Sequence, residues 1–268
     1  MQKACKEGRR DIVDLMILNK DINVEKGLKG ACEGGHIALV NMMLSLGANN
    51  YNNGLYSACK GGHIEVINMM IKLGSNRYEW GLQGACRGGH LNIIKMMFIN
   101  GATYYNGGLE AACYGGHVEI VKMLMSLGAN SYTDGLYGAC YGGHIEIIDM
   151  MTDRGVYNFY NIFYYACKGG HLAVINMLLE QGFDNYNLGL AGACRKGHIE
   201  IVKMMIELGA DNYNCLKDGN LALKIMYIHL TKEVIDLPIK TEHPEYHLLK
   251  GYNKYIPDID RLINKYLF

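Results

Sequence analysis

Cysteine and histidine recur together along this sequence, four residues apart. Cys32 pairs with His36, Cys59 with His63, Cys86 with His90 and Cys113 with His117. Cys140 pairs with His144, Cys167 with His171 and Cys194 with His198. Thiolate and imidazole are ligands of zinc and the two partners of a nucleophile–base pair. Either chemistry needs its groups to converge, and zinc takes about four ligands at one point. These pairs step instead by 27 residues. Identical pairs at a fixed interval spread along a line, one per layer. The expectation is therefore structural: no metal, no cofactor, and histidines that hydrogen-bond turn backbone at the start of a helix, where N–H groups lack partners.

The elements that must carry these columns follow from one unit, residues 54–80, GLYSACKGGHIEVINMMIKLGSNRYEW. Leu55 to Lys60 is a short segment rich in small residues. Gly61 and Gly62 follow, and a glycine just past a helix end takes the left-handed conformation at little cost. Ile64, Ile67, Met70 and Ile71 fall at helical spacing, and Glu65 suits the positive end of a helix. Gly74 closes this second helix. The polar stretch Ser75 to Trp80 reads as a loop. Each unit is thus a helix, a tight turn, a longer helix and a loop. One such pair cannot bury its apolar faces, but stacked neighbours can, in a continuous core. The methionine column (Met42, Met43, Met69, Met70, Met96, Met97, Met150, Met151, Met204, Met205) reads as packing between layers. Eight of the nine cysteines fall in register, which suits reduced, buried thiols and a cytoplasmic setting.

Leu-x-x-Ala-Cys-x-Gly-Gly-His-Ile-Glu-Val-Ile-x-Met-Met-Ile-x-x-Gly-Ala-Asn resembles the core of the ankyrin repeat. The implied fold is all-α: an ankyrin-like α-solenoid of stacked helix-turn-helix repeats with shortened loops. The unit departs from the family in length, being 27 residues against about 33. Gly-Leu, as at Gly54-Leu55, stands where the family opens on Thr-Pro-Leu-His. The missing residues come out of the loop, so the family's projecting β-hairpin is expected to be trimmed. The short form is similar to the ankyrin arrays of giant amoeba-infecting viruses, which would place the protein in a host cytoplasm. Tyr51, Tyr78, Tyr105, Tyr132, Phe159, Tyr186 and Tyr213 form an aromatic column in the loop. They are expected to stand in for the hydrogen bonds of the lost hairpin.

The resemblance divides the chain into a truncated first repeat or N-terminal cap (1–26), seven 27-residue repeats (27–215), and C-terminal capping helices with a tail (216–268). In the first segment Arg9 replaces the histidine and Lys20 the closing glycine. The last holds a helix-like stretch from Asn220 to Leu230, all three prolines, and an amphipathic stretch from Ile259 to Leu267. The sixth full repeat breaks pattern, with Ile162 at the opening glycine and an aromatic run: Tyr157, Phe159, Tyr160, Phe163, Tyr164 and Tyr165.

Positions that vary from layer to layer are free of the packing constraint and can serve a partner. The residue after Cys reads Lys6, Glu33, Lys60, Arg87, Tyr114, Tyr141, Lys168, Arg195. Three before Cys it reads Gln2, Lys29, Tyr56, Gln83, Glu110, Tyr137, Tyr164, Ala191. The two positions lie four apart and share one helical face. In the ankyrin family that face lines the concave groove where partners dock. The resemblance thus implies a protein-binding site at Tyr56, Lys60, Arg87, Tyr114, Tyr137, Tyr141, Tyr164, Lys168 and Arg195, with Trp80 as a loop anchor. Tyrosine and arginine are hot-spot residues, and the basic stripe calls for a partner with an acidic surface. Eight layers would give a groove on the order of 70 Å long.

Other functions are poorly supported by the sequence. Nucleic acid could meet the same basic and aromatic stripe. Against this stand Glu33, Glu110, a formal net charge of +0 and the lack of a recognition motif. No Walker loop, nucleophile elbow or His-Glu-x-x-His motif is present, and His229, His243 and His247 stand without a companion motif, so no catalysis is expected. A ubiquitin-ligase-type adaptor acting through the tail rests on Leu237-Pro238-Ile239 alone. No run reaches about 18 uncharged apolar residues, so no membrane span is expected. Met1 to Asp11 is too polar for a signal peptide. The chain opens inside a first helix with no polar cap before it, which predicts end-to-end self-association.

Overall fold

The computed structural model describes residues 1–20, 22–156, 159–217, 219 and 223–224 of the 268. The readings made above for Tyr157, for the prolines, for His229, His243 and His247, and for the tail lie outside them. So do the side chains of Phe159 and Tyr160.

Every regular element among the described residues is a helix. The chain divides into two compact units, Met1–Ala139 with His144–Val156, and Cys140–Gly143 with Tyr157–Phe268. In the first unit Gln2–Lys6 and Arg10–Leu18 precede four complete pairs. These are Val24–Gly34 with Ile37–Ser45, Tyr51–Gly61 with Ile64–Lys72, Tyr78–Gly88 with Leu91–Ile99, and Tyr105–Gly115 with Val118–Ser126. In the second, Phe159–Gly169 pairs with Leu172–Glu180 and Tyr186–Lys196 with Ile199–Glu207. Within each unit the first helix of one pair packs on the first helix of the next.

The helices differ from expectation in one consistent way. The first helix of each pair is the longer, 11 residues in Tyr51–Gly61 against 9 in Ile64–Lys72. It starts on the aromatic column, four residues ahead of the expected Leu55. The aromatics from Tyr51 to Tyr186 therefore open helices rather than line loops, Tyr213 lies just ahead of Asn214–Lys217, and Trp80 is the third residue of Tyr78–Gly88. Asparagine caps three of these starts, whereas Tyr78–Gly88 and Tyr105–Gly115 begin at the same position without a side-chain cap. Asn23, Asn50 and Asn185 each accept a hydrogen bond from the backbone N–H three residues on, the N-cap arrangement that satisfies an otherwise orphan donor.

Both helices of a repeat end on a left-handed glycine. In Tyr51–Gly61 the cap is Gly62, at φ +85°, and His63 N–H returns to the Ala58 carbonyl at 3.0 Å. After Ile64–Lys72 it is Gly74, at φ +102°, and Ser75 N–H returns to Met70 at 3.0 Å. This is the Schellman closure, which needs φ > 0 and so favours glycine. Lys20 stands where the other repeats have this glycine, and it is the one non-glycine residue at positive φ among the described residues.

The core is the same handful of side chains in each layer. Leu55, Ala58, Cys59, Ile67 and Met70 are wholly buried, and Val66 nearly so. The methionine column is core in one half only. Met43, Met70, Met97, Met151 and Met205 are buried, whereas Met42, Met69, Met96, Met150 and Met204 are half-buried.

Candidate functional site

The histidine column positions the candidate face. Each ring reaches back one layer, not into its own turn as the sequence reading held. Nε2 of His36, His63, His90, His117, His144, His171 and His198 meets the carbonyls of Lys6, Glu33, Lys60, Arg87, Tyr114, Tyr141 and Lys168 at 3.0 to 3.1 Å. A carbonyl only accepts, so Nε2 carries the hydrogen and donates. These carbonyls belong to the last turn of a helix, where no intrahelical donor remains. Their residues are those of the variable column after Cys. The histidine thus holds the main chain of that column in place and leaves its side chains free to differ.

Glycine lets the rings fit. A Cβ on Gly62 would lie 2.7 Å from Cε1 of His90, and one on Gly89 would lie 2.5 Å from Cε1 of His117. Each ring is therefore laid against the turn of the layer before it.

The trimmed hairpin has a different substitute from the one expected. The residue after the opening aromatic, not the aromatic itself, makes the hydrogen bonds. Glu79 accepts from Thr103 and Tyr104 N–H, both at 2.9 Å, and Asn106 from Asn130 and Ser131 at 2.7 and 3.1 Å. Glu25, Asn52 and Asn187 repeat the pattern. One side chain thus ties each of these five loops to the layer before it, where a β-ladder would otherwise run.

On the candidate face, the first unit has two clusters. Lys6 and Lys60 each donate to Oε1 of Glu33 at 2.8 Å, and the Glu33 side chain is only 8% exposed. Lys60 is therefore committed to a buried carboxylate. Burial pushes the Glu33 carboxyl up, but hydrogen bonds from the two lysines outweigh it and hold the carboxyl below the usual range. A depressed carboxylate contributes stability above its unfolded pKa of about 4.3, and loses it as pH falls through the lower folded value. Glu33→Gln should thus cost about 1 kcal/mol at neutral pH, allowing for the partly exposed lysines. The difference from wild type should close as pH falls below about 4. A gap in urea midpoint that stays constant from pH 7 to pH 3 would refute this account.

The second cluster is aromatic and cationic. The Arg87 guanidinium carbon lies 3.6 Å over the Tyr114 ring, and Nη1 is 3.5 Å from the Tyr56 hydroxyl. Residues from three successive layers thus meet here. In the second unit Lys168 Nζ lies 5.4, 5.5 and 5.3 Å from the Tyr141, Tyr164 and Tyr165 rings. Cation–π attraction of this kind holds long side chains flat on the face. Tyr137, in the first unit, is half-buried, and Arg195, in the second, is exposed. A cavity of about 610 Å³ lies beside Tyr164, Cys194, Arg195 and Cys215.

Trp80 does not join these groups. It is 40% exposed, with the Arg77 guanidinium carbon 5.8 Å from its ring. Seven residues separate it from Arg87 in one helix, a rise of about 10 Å. Glu33 as a buried anchor for two lysines was missed by the sequence reading. Its signal was available: one acid set between two bases in a column otherwise basic or aromatic.

Among the described residues no group of three or more His, Cys, Asp or Glu side chains is placed to hold a metal ion. No described helix is long and apolar enough to cross a membrane.

The family model for ankyrin repeats matches residues 109–188 and 136–216, in 3 copies. Among solved structures, the ankyrin repeat domain of human ASB11 is 23% identical, with a TM-score of 0.37. The match covers 58% of this chain and 83% of that one. No curated protein matches the chain.

Proposed function

The chain is an ankyrin-repeat protein, and we propose that it is a non-catalytic scaffold that binds a partner protein on the face formed by the variable columns of the first helices. Ankyrin repeats are in general protein–protein interaction modules. One observation carries the reading further. The main chain of the column after Cys is held by the same histidine bond at seven positions, Lys6 to Lys168, while its side chains change from layer to layer. Constant scaffold and varied surface is the division of labour that a recognition face requires.

The chemistry of that face is uneven. Glu33 takes up Lys6 and Lys60, so the contact residues of the first unit are Tyr56, Arg87, Tyr114 and Tyr137. Those of the second are Tyr141, Tyr164, Lys168 and Arg195. Arginine and tyrosine laid flat offer large contact area with little rotamer freedom left to lose, which suits an acidic protein surface. Trp80 belongs to a different part of its helix and is a weaker candidate. Exposed Ile12, Leu15 and Leu18 support a second contact, between copies of the chain at the first helix pair.

The test is capture of proteins on two baits. One is the wild type. The other carries Arg87, Tyr114, Tyr137, Tyr141 and Lys168 changed together to Ala or Ser, its helix content checked by circular dichroism. A specific partner should bind the variant at least about 30-fold more weakly, as expected from the loss of one strong hot spot. Equal capture would remove the face from consideration. Captured nucleic acid, with affinity falling steeply with salt, would favour the alternative reading of the stripe. An untagged second copy retained on the bait would support self-association, and its absence across concentrations would remove it.

A further inference from the structure

Eight cysteines form the packing column, and the ninth, Cys215, stands outside it. The column thiols are chemically quiet. Cys32, Cys59, Cys86, Cys113, Cys140 and Cys167 are buried, and burial pushes each thiol up to about 12. A thiol so placed remains protonated and shielded, and only thiolates are strong nucleophiles.

Cys194, in the last complete repeat, has a different neighbourhood. Its Sγ lies 2.6 Å from Sγ of Cys215, 21 residues along the chain. Cys215 is half-buried on the short helix Asn214–Lys217, anchored by the wholly buried Leu216. Both sulfurs line the cavity of about 610 Å³, together with Arg195, Lys196 and Gly197. Arg195 and Lys196 are exposed. A small oxidant can therefore reach the pair.

We propose that Cys194 and Cys215 are a redox-active dithiol that hydrogen peroxide closes reversibly to a disulfide, stapling residues 214–217 to the last complete repeat. The two sulfurs have distinct roles. The hydrogen bond between the two sulfurs lowers the Cys215 thiol and raises that of Cys194. Cys215 is thus the attacking group. Its thiolate attacks one peroxide oxygen, the O–O bond breaks, and the departing hydroxide takes up a proton as water. Cys215 is left as a sulfenic acid. Cys194 then gives up its proton as its sulfur attacks Cys215. The S–S bond forms, the S–O bond breaks, and a second water leaves. Two thiols lose two electrons and the peroxide gains them, and a dithiol reductant reverses the change.

The full chain is treated with hydrogen peroxide, its remaining thiols are blocked, and its peptides are weighed. One Cys194–Cys215 linked peptide should appear, lighter by two hydrogens than the reduced pair, and vanish with dithiothreitol. The seven other cysteines should stay reduced. Cys194→Ser should leave Cys215 as a sulfenic acid that dimedone traps, and Cys215→Ser should yield no link. Circular dichroism confirms that both variants keep their helices. In wild type, iodoacetamide should label Cys215 under native conditions at least about tenfold faster than any column cysteine. The proposal is overturned if peroxide produces no link, links column cysteines or joins two chains. It is equally overturned if Cys215 labels no faster than the column.

Discussion

Gly89→Ala should lower stability by about 3 kcal/mol, whereas Gly101→Ala should cost only about 1 to 2 kcal/mol. Both glycines cap helices at positive φ, +81° and +95°. An L-residue in that conformation pays the left-handed penalty at either position. The surroundings separate them. Around Gly101 an added Cβ meets nothing within 4 Å. At Gly89 it meets the His117 ring, with Cε1 at 2.5 Å and Nδ1 at 2.7 Å. The ring must give way, and its hydrogen bond to the Arg87 carbonyl is lost. Gly89→Ala therefore adds the cost of a broken interlayer bond to the backbone strain. Urea unfolding followed by circular dichroism reads both variants. Equal midpoint shifts would mean that the histidine column does not join the layers.

Met97→Ala should cost about 3 kcal/mol and Met96→Ala less than about 1 kcal/mol, although the two are neighbours in one helix. Met97 is wholly buried. Its sulfur faces Gly81 of its own repeat and lies 4.0 Å from Cys59 Sγ in the preceding repeat. Truncation there opens a cavity between layers, and a buried Met→Ala change loses both transfer energy and packing. Met96 is half-buried, and its site can fill with water. Thermal unfolding of the two variants decides between them. A larger loss at Met96 would show that the helix Leu91–Ile99 is rotated relative to this description.

Much of the fold was legible in the sequence because it is local. Helical spacing at Ile64, Ile67, Met70 and Ile71 specifies a helix from within ten residues, but its buried side only in part: Ile67 and Met70 are buried, whereas Ile64 is 53% exposed and Val66, outside that set, is buried. The glycines at 62 and 74 mark where the chain must turn, since only glycine reaches those angles cheaply. The 27-residue period then says that each unit has identical neighbours, so burial of the cysteine column and the structural role of histidine follow without coordinates. The starts of the first helices were less legible. Tyr78 and Trp80 look like loop residues until Glu79 is seen to reach Thr103 and Tyr104 in the next layer.

That difference marks the boundary between what the sequence alone determined and what the tertiary structure decided. The sequence determined the repeat, its two helices, its glycine caps and the identity of the columns. All of these depend on spacings of a few residues or on the period itself. Only the tertiary structure decided which groups meet across layers. His63 reaches Glu33, 30 residues back, Glu79 reaches forward 24 and 25, and Glu33 gathers Lys6 and Lys60 from either side. Cys215 comes to rest beside Cys194 in the same way. Such partners are chosen by how far one layer is shifted and turned against the next, and that offset is set by side-chain packing between helices rather than by any local preference of the chain.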